Sequence, residues 1–141
     1  TTAKIDGPEF RVTTDPGDQG TLHSSAIGRV LLAYAPAAER DGLLESIPLP
    51  ARTESTLTKR DRLREVVAQT QQQGFASQSE EHDDGMAAVA VPVLDPAGGL
   101  IAALCLAAPI FRSTREDLQD QLPLLREAAD QLAAVLPPRP R

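Results

Sequence analysis

At 141 residues with a net charge of −6, the chain fits one domain with a buried core, and its acidity argues against gripping a phosphate backbone unaided. Aromatic residues make up only 3% and Trp is absent, which disfavours stacking on exposed bases. The single cysteine, Cys105, excludes an internal disulfide framework and fits a reducing cytoplasm, and no run approaches the ~18 apolar residues of a membrane span.

The chain opens on Thr1-Thr2-Ala3-Lys4 without Met, as expected of a fragment of a longer protein. Glu9 to Thr14 alternates as a strand, and Asp15 to Gly20 has turn composition. Leu22, Ala26, Ile27, Val30, Leu31 and Tyr34 recur at helical spacing and predict one apolar helix face. Pro36 punctuates before a short helix from Ala37 to about Ser46, closed by Pro48 and Pro50. Thr58 with Asp61 predicts a helix cap, and the following helix should bury Leu63, Val66, Val67 and Thr70 before stopping at Gly74. Thr114 with Asp117 predicts another cap. The last helix carries Leu118, Leu122, Leu125, Ala129, Leu132 and Leu136, with Pro123 inside it either facing solvent or kinking it. Residues 1–136 should form one domain, and 137–141 a frayed tail.

The stretch from Gly74 to Pro109 is the most informative: a short strand, an acidic loop, then two apolar strands joined at Asp95-Pro96-Ala97-Gly98-Gly99. Pairing Asp95 with Leu100 places Ala87, Val89, Val91 and Val93 on one face with Leu100, Ala102, Leu104 and Leu106. The other face carries Met86, Ala88, Ala90, Pro92 and Leu94 with Ile101, Ala103, Cys105 and Ala107. Towards its open end that second face is almost all small. Either a helix packs unusually close there or a ligand fills the gap, and pattern alone favours the helix. Helices lie between strand groups without strict alternation, which indicates an α+β fold with a mainly antiparallel sheet.

Several segments, in order and at family spacing, resemble the C-terminal effector-binding domain of IclR-type bacterial transcription regulators. They are LHSSAIGRVLLAY (Leu22 to Tyr34), the Leu-rich helix and loop up to Thr58, QQGF (Gln72 to Phe75), SEEHDDGM (Ser79 to Met86), VAVPVLDPAGGLIAALCLAAP (Val89 to Pro109) and the terminal helix. The resemblance implies a curved, mainly antiparallel sheet flanked by helices, a GAF/profilin-like effector-binding domain. It also implies a homo-oligomeric, cytoplasmic repressor or activator, dimer or tetramer. An N-terminal winged helix-turn-helix, absent from this chain, would bind operator DNA. The first sheet strand or strands are expected to be truncated as well.

Mapped onto the family pattern, the effector-binding residues are Ala26, Ile27, Gln78, Met86, Ala88, Cys105 and Ala107. In members that bind small carboxylates, the resemblance implies Gly-Ala at Ala26-Ile27, Asp at Gln78, Cys at Ala88 and Ser at both Cys105 and Ala107. The replacements remove hydrogen-bonding groups, so a larger or more apolar effector, aromatic or acyl, is expected. The helix start near Leu22-His23-Ser24-Ser25 offers backbone donors to an anion; equally, His23 and Ser24 serve only as caps.

Other constellations carry less. Glu80, Glu81, His82, Asp83 and Asp84 fit no metal-ligand spacing and read as a solvated loop, although His82 and His23 meeting in space would offer a cation two ligands. Cys105 reads as pocket lining rather than a nucleophile, and Ser24 and Ser25 lack a nucleophile-elbow pattern. No catalytic residue, cofactor or metal is expected. The runner-up function is a GAF- or PAS-like sensor attached to another output, and a small-molecule enzyme is the third reading.

Overall fold

The structure, a computed structural model, describes residues 2–4, 9–13 and 19–136. The expected tail at 137–141 and most of the Asp15–Gly20 turn lie outside them. Five strands form one antiparallel sheet in the order β1-β2-β5-β4-β3: β1 Thr2–Lys4, β2 Glu9–Thr13, β3 Ala76–Ser79, β4 Met86–Leu94 and β5 Leu100–Pro109. The short β1 has no counterpart in the sequence expectations.

The β4–β5 hairpin carries the core. Its pairs run from Met86 with Pro109 to Val93 with Ala102. From there to the open end the register matches the expected one, so the two faces stand. At the turn it does not. A bulge pairs Leu94 with Leu100 and moves Ile101 onto the opposite face, so these two residues exchange sides relative to expectation. The cause lies in the loop: Asp95 N–H donates to Gly99 O at 2.8 Å, while Asp95 Oδ1 accepts from Ala97 N–H and Gly99 N–H. Closing the turn on Gly99 leaves one extra residue in β5.

Each face has its own helical layer. The bulky face, with Val89, Val91, Val93, Leu104 and Leu106, packs on α4 (Arg115–Gln119) and α5 (Leu122–Val135) through Leu118, Leu122, Leu125 and Ala129. The predicted single last helix is thus two. Thr114 and Asp117 form the expected capping box, but the chain breaks after Gln119, and Pro123 sits exposed in the first turn of α5, where its missing N–H costs nothing. Leu132 and Leu136 lie at the rim and are only half-buried.

The small face packs on α1 (Ala26–Ala33), with α2 (Ala37–Ser46) and α3 (Arg60–Gln73) outside it. All eight residues of α1 are buried, because the helix lies between the sheet and two other helices. That differs from the one-faced helix expected from periodicity. The close approach uses Gly28: a Cβ there would stand 2.5 Å from Leu22 Cα. Two details of α3 also differ. Its N-cap is Lys59 without a side-chain cap, since Asp61 pairs instead with Arg64 one turn on, at 2.9 Å. Val66 is half-buried and lines a surface groove, whereas Leu63, Val67 and Thr70 are buried. Gly74, at φ +80°, ends α3 in the left-handed conformation expected of it.

Candidate functional site

Helix α1 covers the small face only partly. Past its N-terminus, towards the open end of the hairpin, a cavity of about 210 Å³ remains. All seven residues named from the sequence line it: Ala26 and Ile27 from α1, Gln78 from β3, Met86 and Ala88 from β4, Cys105 and Ala107 from β5. Helix packing and empty space therefore both occur on the small face, at different positions along it. Ser25, His82, Asp83 and Ala87 complete the lining and were not named as site residues. His82 enters from the loop between β3 and β4, and Ser25 enters as the residue just before α1, which begins later than expected.

The helix start explains this. A 3₁₀ turn at Gln19–Thr21 precedes a bend, and α1 begins only at Ala26. Ser25 is the N-cap: its Oγ accepts from Gly28 N–H at 2.9 Å and donates to Thr21 O at 3.0 Å. His23 and Ser24 do not cap the helix. With Ser25 engaged at Gly28, the backbone N–H groups of Ala26 and Ile27 have no acceptor among the described residues. They form the positive end of a helix that borders the cavity.

Gln78 supplies a further donor. It is 3% exposed, and its Oε1 accepts from Glu81 N–H at 3.0 Å. Accepting from a backbone N–H identifies that atom as the oxygen, so the remaining amide group is NH₂. It makes no hydrogen bond among the described residues. Ser25, His82 and Asp83 add polar atoms, and the remaining wall residues, Ala26, Ile27, Met86, Ala87, Ala88, Cys105 and Ala107, are apolar.

The acidic loop is not the solvated connection expected. Only Asp83 and Asp84 are exposed. Thr53 Oγ1 and Thr56 Oγ1 donate to the Glu80 and Glu81 carbonyls, and Arg52 Nε donates to His82 O at 2.9 Å. Above all, Arg29 of α1 reaches Glu81 through two nitrogens, at 2.6 and 3.1 Å, while donating to His23 O and Ser77 O at 2.9 and 3.0 Å. Arg29 is 3% exposed. A buried guanidinium is tolerable only when paired and hydrogen-bonded, and this one is both. The sequence signal for it was a lone arginine in the otherwise apolar AIGRVLLA.

The two histidines take different partners. His23 Nε2 donates to Pro50 O at 2.8 Å, and His82 Nδ1 lies 2.9 Å from Ser24 Oγ. Burial, with help from the Arg29 and Arg52 charges, lowers the His23 pKa below its ordinary 6.5, outweighing the Pro50 hydrogen bond. Its Nδ1 is buried and has no hydrogen-bond partner among the described residues. Among the described residues no group of three or more His, Cys, Asp or Glu side chains is placed to hold a metal ion.

Residues 3–134 match the family described as bacterial transcriptional regulator IclR C-terminal. The chain belongs to this family. It is 37% identical over 123 residues to a probable transcriptional regulator, SauR, of Cupriavidus necator, covering 87% of this chain and 49% of that protein. The chain spans about half the length of the curated relatives it matches. Among solved structures, a double mutant of the PobR inducer-binding domain from Acinetobacter, in complex with 3-hydroxybenzoic acid, superposes with a TM-score of 0.75 at 33% identity. That match covers 82% of this chain and 66% of that one. An IclR homolog from Microbacterium hydrocarbonoxydans complexed with 4-hydroxybenzoate gives 0.69 at 28% identity, covering 80% and 45%. An α+β IclR effector-binding domain is thus the fold, and the relatives are regulators of transcription, not enzymes. A sensor serving some other output is not favoured.

Proposed function

We propose that this chain is the ligand-sensing domain of an IclR-type transcription regulator and that the α1–hairpin cavity takes a single-ring aromatic carboxylic acid. The observation that carries this reading is the cavity's division of labour. The Ala26 and Ile27 backbone N–H groups, which have no acceptor among the described residues, and the Gln78 amide supply donors. Ser25, His82 and Asp83 add polar atoms, and the other seven lining side chains are apolar. A carboxylate would accept from Ala26 and Ile27 N–H at the positive end of α1. The ring would rest against Ile27, Met86, Ala88, Cys105 and Ala107. A volume of about 210 Å³ holds roughly seven waters, enough for one substituted ring but below the range usual for drug-sized ligands.

Two neighbouring structures support the choice of ligand class, since both hold a hydroxybenzoate. In the whole protein, cytoplasmic and dimeric or tetrameric, the effector would shift the balance between assembly geometries and so the spacing of operator-binding domains outside this chain. It can do so only by its differential affinity for the two states. Calorimetry with a panel of acids tests the ligand class. We expect 4-hydroxybenzoate to bind at least about tenfold more tightly than glyoxylate or pyruvate, a difference of about 1.4 kcal/mol. The opposite order would overturn the aromatic assignment, and no binding by any acid would overturn the sensor reading.

A further inference from the structure

A second and larger recess lies on the other side of the Arg29–Glu81 pair. It is a groove of about 430 Å³ running from α3 past the free edge of β3 to α4, and it shares no lining residue with the α1–hairpin cavity. Its charged lining residues are mostly basic in an acidic chain. Arg29 and Glu81 neutralise each other within it, and its other charged lining residues are both cations, Arg62 of α3 and Arg115 of α4, in a chain of net charge −6.

Both cations have only exposed partners outside the groove lining. Arg62 pairs with Glu65 at 3.0 Å and Arg115 with Glu116 at 3.5 Å, but all four side chains are well exposed. Such surface pairs contribute little, so an incoming anion competes on favourable terms. Between the two arginines lie polar donors. The Gln69 side chain makes no hydrogen bond among the described residues, and Gln119 Nε2 donates to Ser77 Oγ at 3.1 Å. The floor is partly apolar, with Val66 and Phe75 contributing. The burial pattern of α3 agrees: Val66 belongs to the helix's apolar stripe by spacing yet is left half-buried under this recess.

We propose that this groove is a second ligand site, for a small organic dianion whose two acidic groups engage Arg62 and Arg115 while its hydrocarbon portion lies on Val66 and Phe75. Guanidinium forks suit carboxylate and phosphate groups equally. The volume falls within the range of established small-molecule sites. Because the site is distinct from the effector cavity, it stands or falls independently of the effector's identity.

The test is a nuclear magnetic resonance titration of the chain at low salt with terephthalate as dianion and benzoate as its monoanionic control. Terephthalate should produce saturable shifts at Phe75 and at the Gln69 and Gln119 side-chain amides, with benzoate at least about tenfold weaker there. The doubly substituted R62A/R115A chain should lose at least about tenfold in terephthalate affinity at these signals. Its arginines are exposed, so folding should be retained, and a wild-type spectrum for α1 and β5 verifies that. Absence of saturable shifts in the groove, or shifts unaltered in the double variant, would overturn the proposal. So would groove signals that move with protein concentration alone, which would make this surface an interface between copies. Replacing the terephthalate ring acids by inorganic phosphate then separates a phosphate-selective groove from a carboxylate-selective one.

Discussion

Glu81 and Glu65 both accept a hydrogen bond from an arginine, yet their removal should have unequal effects. The Glu65 pair is solvent-exposed, so Glu65→Ala should change stability by less than about 1 kcal/mol. Glu81→Ala would leave the buried Arg29 guanidinium without its counter-charge, with an expected loss of about 3 kcal/mol in urea unfolding. A loss of similar size at both positions would show that Arg29 is not buried as described. His23 gives a pH signature. Its folded pKa lies below the unfolded value of 6.5, so the folded state resists protonation. His23 therefore contributes its full stabilisation above pH 6.5, and loses it as pH falls below that value towards the folded pKa. The variant His23→Gln keeps a donor for Pro50 O and removes the titration. Unfolding midpoints of the two proteins, compared between pH 7.5 and 5, should converge on acidification; parallel curves would contradict the lowered pKa. Both features were hard to read from sequence. Nothing in a lone Arg or His states its burial, which is decided by contacts with Glu81 and Pro50, 52 and 27 residues away.

Among the elements, the hairpin and helices α2 and α3 were legible because periodicity and punctuation agree. Alternation set β4 against β5, and prolines and Gly74 bounded the helices. The bulge at Ile101 was not legible, since it depends on how Asp95 closes its own loop. The division of α4 from α5 was half-legible: Pro123 marked the place, but a kink and a break read alike. The start of α1 was misplaced for a similar reason, because three consecutive residues, His23, Ser24 and Ser25, are all able to cap and only tertiary contacts choose. Helix α1 also yields the sharpest element-scale prediction. Gly28→Ala gains up to about 1 kcal/mol of helix propensity but drives Cβ into the Leu22 backbone, at a cost of about 3 kcal/mol. The net loss of about 2 kcal/mol should appear in chemical denaturation, together with weakened effector binding as α1 moves off the sheet. A neutral or stabilising outcome would mean that α1 does not approach Leu22 this closely.

For the whole molecule, one sheet serves two different layers. Its bulky face is filled by α4 and α5, and its small face by α1 until that helix ends and the cavity begins. The location of the cavity was readable from Ala88 and Ala107 opposite each other on neighbouring strands, since paired small residues leave volume. Its polar endowment was legible only in part: backbone donors at the helix start were expected, but near Leu22–Ser25 and not at Ala26 and Ile27, and the donor from Gln78 depends on the orientation of one amide. The central claim is that this volume receives the effector, and the most direct measurement is 4-hydroxybenzoate binding by calorimetry to the wild-type chain and to Ala107→Trp. The account predicts saturable binding to the wild type and a loss of at least about a hundredfold in the variant, about 2.7 kcal/mol, with unchanged far-ultraviolet circular dichroism. Undiminished binding to a folded Ala107→Trp chain would contradict it.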